Sequence, residues 1–320
     1  MSILGVAERG VTSSPSLWEA LDLESAEPQI GTPRISLYDA PMDFSAKTVR
    51  VPTLGPSGMD FDVLADDTII GPSIAGGAWE DHETRLFLAH LRPGSRVLDL
   101  GANVGWFAVQ AILAGAEVHA FEPVPGIADL TERNMLRAME IGPGKGILHR
   151  AAAADAKGTA KIALSEGNHG DNRVLDGNAP ADMADATCIE IKLERVDDHV
   201  QGPIDFLKVD TQGSEWLALQ GAKELLAASP KLGLLIEFWP YALRGCEPSD
   251  LLDLLLNMGF TLGKATTAPY PMTKERILAQ ALLRDPVKGG LDLYGTRGLP
   301  FHVDGLKGKL HGMWRSMRED

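Results

Sequence analysis

Cysteine is nearly absent from this chain: Cys188 and Cys246 are the two in 320 residues, and they form no CxxC pair. That scarcity excludes a disulfide framework and a zinc site built on paired thiolates. Positive charge is also short, with 30 Lys and Arg against 44 Asp and Glu and a net charge of −14. No basic block stands out, so sequence-independent binding to nucleic acid, which rests on clustered Lys and Arg at phosphates, is not expected. No apolar run reaches the roughly 18 residues of a membrane-spanning helix. The segment Met1 to Arg9 lacks the basic region and apolar core of a signal peptide, so a cytoplasmic protein without a membrane span is the expectation. Internal repeats and low-complexity tracts are missing as well. What remains, 44% hydrophobic and 23% charged residues, is the composition of a soluble globular chain long enough to bury a large core.

Residues 1–75 read as an N-terminal extension: a Ser-, Pro- and Glu-rich lead-in with one short helix near Leu17–Leu23, then a small strand pair over Val49–Ile70 broken at Gly55-Pro56-Ser57-Gly58. Trp79–Leu91 carries Leu86, Leu88 and Leu91 at helical spacing and stops at Pro93-Gly94. From Ser95 the chain alternates strand and helix over Arg96–Leu100, Gly105–Leu113, Glu117–Glu122, Gly126–Met139 and Gly146–Ala153. A hairpin of Thr159–Leu164 and Cys188–Leu193 brackets the polar loop Ser165–Asp185. The alternation resumes with Ile204–Val209, Glu215–Ala228, Leu232–Phe238 and Pro248–Met258, and strands near Phe260–Lys264 and Leu291–Thr296 close the series. Such a rhythm predicts an α/β fold, a mostly parallel sheet with helices on both faces spanning residues 76–298, with 299–320 as a tail.

Two of these strands carry the chemistry. Val97-Leu98-Asp99-Leu100 runs into the turn Gly101-Ala102-Asn103-Val104-Gly105, and Val118-His119-Ala120-Phe121 ends at Glu122. Twenty-one positions separate Gly101 from Glu122, room for one helix and a return strand, the layout of a nucleotide-type site. A dinucleotide fingerprint needs glycine where Asn103 stands, so that backbone can approach a pyrophosphate. Asp99 beside that turn would repel a pyrophosphate and attract a cation. S-adenosylmethionine, with its sulfonium and ammonium, fits that sign, and Glu122 can accept both ribose hydroxyls.

In an open α/β sheet the ligand lies at the carboxyl ends of the strands, and Asp99, Glu122, Asp155, Asp210 and Glu237 all end predicted strands. Any one of them could simply cap the next turn or helix. With Trp79-Glu80, Val97–Gly105, Val118–Pro123, Ala151–Gly158, Ile204–Glu215, Leu219-Gln220-Gly221-Ala222 and Leu234-Leu235-Ile236-Glu237, the chain resembles the FkbM family of class I S-adenosylmethionine-dependent methyltransferases over roughly residues 76–265. The resemblance implies a Rossmann-like seven-stranded methyltransferase sheet and O-methylation of a hydroxyl on a sugar, polyketide or other secondary metabolite. It implies that Asp99, Gly101, Asn103 and Gly105 form the first cofactor loop, that Glu122 holds the ribose and that Asp155 lies near the adenine amino group. Glu80 is implied at the cofactor's amino-acid end, its alternative being an acid opposing a helix macrodipole. Gln212 stands where the family usually has Glu, and is expected to orient cofactor or substrate through its amide.

Methyl transfer to an alcohol calls for alignment and a base. Asp210 is the first candidate base and His169 the second, with a solvated loop histidine as the plain alternative for His169. His149 is expected to be structural. Trp239-Pro240-Tyr241 could floor an apolar or sugar-bearing acceptor or be a packed corner, and Trp106 faces the same choice. Asp210 and Glu237 could share a divalent cation, yet no metal is assigned. No Asn-Pro-Pro-Tyr or Asp-Pro-Pro-Tyr motif follows the Ile204–Val209 strand and neither Cys follows a Pro there, which argues against methylation of base amino groups or of cytosine carbon. The expected partner is a small-molecule or glycan acceptor, with a homo-oligomer left open. The competing readings are a nicotinamide-dependent oxidoreductase on the same sheet, and a protein that binds S-adenosylmethionine without turnover.

Overall fold

The structure is a computed structural model that describes residues 44–175, 183, 185–285 and 289–301. The helix expected near Leu17–Leu23 and residues 302–320 of the expected tail lie outside the described residues. Strands β1 (Ala46–Val51) and β2 (Met59–Leu64) pair antiparallel, as expected, across the turn that holds Gly55 and Gly58. Helix α1 (Ile70–Ala75), too short to leave a periodic signal, follows, and then α2 (Asp81–His90). The alternating core comprises β3 (Arg96–Leu100), α3 (Trp106–Leu113), β4 (Glu117–Phe121), α4 (Pro125–Ile141) and β5 (Lys145–His149).

The single strand expected over Gly146–Ala153 is two. After His149 the chain bends, with the Ala151 amide donating to the His149 carbonyl at 2.9 Å, and β6 (Ala152–Ala153) leaves the main sheet. It joins β7 (Gly158–Ala163), β8 (Arg173–Val174) and β9 (Cys188–Glu194) in a four-stranded sheet of order β6-β9-β7-β8. Next come β10 (Phe206–Val209), α5 (Glu215–Gln220) and α6 (Lys223–Ala227). The expected single helix over Glu215–Ala228 breaks at Gly221 because Asp197 takes the backbone amides of Glu224 and Leu225, at 3.1 and 2.9 Å, and so caps a second helix. A Cβ at Gly221 would also collide with the Ala154 carbonyl. The chain ends with β11 (Leu232–Phe238), α7 (Pro248–Asn257), β12 (Thr261–Lys264), α8 (Lys274–Leu282) and β13 (Leu291–Arg297).

Seven strands form the main sheet in the order β12-β13-β11-β10-β3-β4-β5. The pairs among β5, β4, β3, β10 and β11 are parallel, while β13 runs antiparallel to both β11 and β12. This is the expected mostly parallel seven-stranded sheet, with helices on both faces. Alternation along each strand feeds two cores. Val97, Phe206, Leu235 and Tyr294 pack with α2, α3 and the β1-β2 pair. Leu98, Leu100, Leu207, Val209, Leu234 and Ile236 pack with α5, α6, α7 and α8. The β1-β2 pair is tied to α4 by Asp62, buried and bonded to Arg133 at 2.7 Å and Arg137 at 2.8 Å, while Asn134 accepts the Asp62 amide. Those two guanidiniums and Thr48 outweigh burial and hold its carboxyl below the usual range. Among the described residues no helix is long and apolar enough to cross a membrane.

His149 is indeed part of the framework. Its ring stacks on Phe121 at 4.4 Å between centroids, its Nε2 meets His119 Nδ1 at 3.1 Å, and its carbonyl accepts the Glu122 amide. Burial, then the neighbouring His119 and His199, push His149 down to about 4 from 6.5. The unfolded chain therefore takes up a proton at His149 as pH falls through 6.5 while the folded chain resists until about 4. Across that window stability should fall by up to about 1.4 kcal/mol per pH unit on this group's account. Urea unfolding of the wild type and His149→Gln at several pH values should show the difference between them shrinking as pH drops from 6.5 toward 4; a constant difference would refute the assignment.

Candidate functional site

Toward the carboxyl ends of the parallel strands, the sheet face that packs on α2 and α3 turns from apolar to charged. Lys208 lies in register with Asp99 across β10 and β3, and Glu237 with Asp292 across β11 and β13. Glu122 and Asp210 directly follow β4 and β10. Above them lies a cavity of about 510 Å³ whose wall includes Glu80, Gly101, Asn103, Glu122, His169, Lys208, Asp210, Gln212, Glu237, Trp239 and Asp292. Its place at the strand ends of an open sheet is where such folds hold ligands.

The turn after β3 is shaped by backbone needs. Gly101 has φ +80°, and a Cβ there would drive into the Asp210 carbonyl oxygen, so glycine lets the ends of β3 and β10 approach. Gly105, at φ +87°, is the residue from which α3 starts. Glu122, 5% exposed, accepts the Asn103 amide on Oε2 and the Val124 amide on Oε1, each at 3.0 Å. Burial nonetheless outweighs those two bonds and pushes its carboxyl up to about 7. Asn103 is held on every side. Its Nδ2 donates to the His169 carbonyl at 2.9 Å, its Oδ1 accepts the Val104 amide, and its own carbonyl accepts from the Thr131 hydroxyl.

Among the described residues, three other than glycine have positive φ: Glu80 at 46°, Asn103 at 49° and Gln212 at 50°, and all three line this cavity. Left-handed backbone costs an ordinary residue about 1–3 kcal/mol and persists where the surroundings impose it, most often at working sites. Glu80 immediately precedes α2, but its side chain makes no capping bond. Burial and the carboxylates of Asp210, Asp292 and Glu83 raise its carboxyl well above the ordinary value against the pull of Lys208.

Lys208 is the counter-ion of this wall. Its side chain is 9% exposed, its Nζ donates to Asp210 Oδ2 at 3.1 Å, and it stands over the Phe107 ring at 4.8 Å. Asp210, Glu80 and Asp99 hold its ammonium above the usual value against burial. Asp99, 1% exposed, lies under the cavity rather than on its wall, and neither of its oxygens meets a donor at ordinary geometry. Burial pushes it up to about 6. Gln212 spends both amide hydrogens on acids, donating to Asp210 Oδ1 at 2.7 Å and Glu237 Oε2 at 2.9 Å. Glu215 folds back over the same turn, its Oε1 accepting the Thr211 amide and hydroxyl and the Gly213 amide.

Of the residues singled out in the sequence, Glu80, Gly101, Asn103, Glu122, His169, Asp210 and Gln212 meet at this cavity, and Gly105 and Asp99 support it from behind. Asp155 stands apart, exposed, in a separate shallow surface pocket with Lys157, Arg195 and Trp216. The bend after β5 carries it away from the other strand ends. His169 is not a solvated loop histidine: it is 2% exposed, its Nε2 meets the Asp66 carboxylate at 3.0 Å, and its amide donates to Asp67 Oδ2. Its Nδ1 is enclosed and unpartnered. Trp239 is 2% exposed, with the Arg173 guanidinium 4.4 Å from its ring centroid, and Trp106 donates from Nε1 to Thr84 at 3.0 Å. Lys208 and Asp292 escaped the sequence reading, although a lysine inside the apolar run Phe206-Leu207-Lys208-Val209 was a signal for a buried, paired charge.

Comparison with known proteins matches residues 99–262, more than half of the chain, to the methyltransferase FkbM domain. Over 173 residues the chain is 29% identical to 31-O-demethyl-FK506 methyltransferase FkbM of Streptomyces tacrolimicus, covering 44% of this chain and 65% of that one. The chain thus spans a little under two thirds of the length of that curated relative. A crystal structure of methyltransferase FkbM from Methylobacillus flagellatus KT is similar at 18% identity and a TM-score of 0.40, over 64% of this chain and 44% of that one. Magnesium protoporphyrin IX methyltransferase from Synechocystis PCC 6803, solved with bound SAM, is similar at 14% identity and a TM-score of 0.40, over 72% of this chain and 85% of that one.

The close approach at Gly101 is open to direct measurement. Gly101→Ala carries the left-handed backbone penalty plus a collision with the Asp210 carbonyl, whereas Gly94→Ala, at φ +83° with nothing near its Cβ, carries only the first. Chemical unfolding should place Gly101→Ala at least about 1 kcal/mol below Gly94→Ala, the scale of overpacking in a filled site. Equal losses would show that the packing of the two strand ends is not what requires glycine.

Proposed function

The chain belongs to the FkbM methyltransferase family, and from that premise we propose that it O-methylates a hydroxyl of a small-molecule or glycan acceptor, of sugar or polyketide type, with S-adenosylmethionine as donor. The observation that carries this reading is Glu122, a carboxylate buried just after β4 on the wall of the cavity, facing the glycine-bearing turn after β3. Each of its oxygens accepts one backbone amide and keeps a lone pair for a ribose hydroxyl. Gly101 and Asn103 line the same wall and leave room for a close approach. Among the described residues the lining carries Lys208 against Glu80, Glu122, Asp171, Asp210, Glu237 and Asp292, which favours a donor with more positive than negative groups. When bound, S-adenosylmethionine supplies a methyl group made electrophilic by its sulfonium.

The residues of the chain would divide the remaining work. Glu122 would hold the ribose; Glu80 would take the ammonium of the amino-acid end, and Lys208 its carboxylate. Asp210, bonded to Lys208 on one oxygen and to Gln212 on the other, would lie near the cationic donor. Gln212, with both its amide hydrogens committed to Asp210 and Glu237, would act through those acids or through its amide oxygen. Trp239, Asn168, Asp171 and Asn172 form a polar-rimmed aromatic wall suited to a hydroxylated acceptor. The Streptomyces tacrolimicus relative is named for an O-demethyl position of its acceptor, which supports oxygen as the acceptor atom here. Asp155 receives no role in this scheme. Of the two bases suggested by the sequence, Asp210 has a donor on each oxygen, and His169 keeps its unpartnered nitrogen enclosed.

Ionised Glu122 is the form that accepts ribose hydroxyls, and its carboxyl titrates near 7 in the unliganded protein. Cofactor binding must then displace a proton below that pH. Calorimetric titration with S-adenosylmethionine should show affinity rising by up to about tenfold per unit as pH climbs toward 7 and levelling above it. Glu122→Gln should weaken binding by about 1–3 kcal/mol, the worth of a charge-assisted hydrogen bond, and flatten that pH dependence. Unchanged affinity and slope in the variant would remove Glu122 from the ribose. Methyl-labelled donor incubated with a panel of hydroxylated acceptors should yield a labelled methyl ether; label found on nitrogen or carbon would refute O-methylation.

A further inference from the structure

We propose that Glu237 is the catalytic base of this site and that Gln212 is its positioning residue. The inference rests on the O-methylation reading and goes beyond it, since that reading leaves the proton of the acceptor hydroxyl without a destination.

Three features of the geometry single out Glu237. It lines the cavity from the carboxyl end of β11, beside Trp239 of the proposed acceptor wall. Its two oxygens are unequally engaged. Oε2 accepts the Gln212 amide at 2.9 Å, whereas Oε1 faces Gly289, where a Cβ would stand 3.8 Å away, and has no hydrogen bond among the described residues. Asp210, the other acid that Gln212 touches, has both oxygens occupied, by Gln212 and by the ammonium of Lys208. One amide thus joins a carboxylate with a donor on each oxygen to one that keeps an open oxygen.

The charges facing Glu237 come from every element around it: Asp210 after β10, Asp292 opposite it on β13, Glu215 on α5 and Glu80 before α2. All are acids, and with burial they raise the Glu237 carboxyl well above the ordinary value. Lys208, a cation of the cavity wall, is bonded to Asp210. A carboxylate that resists ionisation binds a proton more strongly than a free one, which is what a base for an alcohol needs. The left-handed backbone of Gln212, at φ 50°, is what aims its amide back between the two acids from a tight turn.

In the step this implies, the acceptor hydroxyl gives its proton to Glu237 Oε1 while its oxygen forms a bond to the methyl carbon. The carbon–sulfur bond breaks with its electron pair kept on sulfur, leaving a neutral thioether. Glu237 then releases the proton to water through the cavity mouth.

The test uses the full chain with Glu237→Gln and Gln212→Leu. Calorimetry with S-adenosylhomocysteine should give dissociation constants for Glu237→Gln within about twofold of the wild type, whereas label transfer to the acceptor panel falls by a hundredfold or more, the lower end of what general bases contribute. Carbon NMR of protein labelled at glutamate carboxyls should contain one titrating resonance that vanishes in Glu237→Gln. In Gln212→Leu, which removes the amide donor, that resonance should titrate at higher pH and the acid limb of the pH–rate profile should move with it. Full turnover in Glu237→Gln, or a Gln212→Leu profile that scales without moving, overturns the assignment. A wild type that binds the homocysteine product and methylates no acceptor in the panel instead refutes the O-methylation reading, and the base with it.

Discussion

The ammonium of Lys208 is the interaction on which the site depends. It sits under the cavity in contact with Asp210, in register with Asp99 and over the ring of Phe107, nearly out of solvent. Without it, Glu80, Asp99 and Asp210 would crowd one end of the sheet without the ammonium that pulls their carboxyls down or pairs with them. With it, Asp210 is paired and has a donor on each oxygen, while burial and the surrounding acids raise the carboxyls of Glu80, Asp99, Glu237 and Asp292. The result is a cavity whose acids sit in different surroundings, and in the proposed scheme one set of carboxyl groups would hold a cationic donor and also accept a proton.

The backbone makes this arrangement possible. β3 and β10 can end side by side only because Gly101 leaves space for the Asp210 carbonyl. The N-terminal strand pair and the inserted sheet then close over the turn. Asp66 and Asp67 grip His169, Thr68 bonds Gly167 through both its amide and its hydroxyl, and His169 in turn receives the Asn103 amide side chain. Ile69 and Ile70 are therefore part of the wall of the cavity, and His169 serves as the clasp between Asp66-Asp67 and the turn after β3.

Much of this was legible in the sequence because the sheet obeys local rules. Strands β4 and β10 are apolar runs followed directly by an acid, and β3 and β11 carry one at their next-to-last position. The misreadings arose where long-range contacts decide. One apolar run became β5 and β6 because the chain changes sheets at Arg150. One helical run became α5 and α6 because Asp197, distant in sequence, caps the second. Helix α8 buries only Ile277 and Ala281, too little for a periodic signal. Asp155 looked like a strand-end acid in register with the others, and that register was lost at the same bend. Lys208 and Asp292 went unnoticed because their meaning lies in cross-strand pairing, which a single chain does not display.

The most direct test of the account is a crystal structure of the protein with S-adenosylhomocysteine. The account predicts electron density in the 510 Å³ cavity, with both ribose hydroxyls within hydrogen-bond distance of Glu122, the sulfur on the Lys208–Asp210 side and Asp155 without contact. Density elsewhere, or a ribose that avoids Glu122, would contradict it.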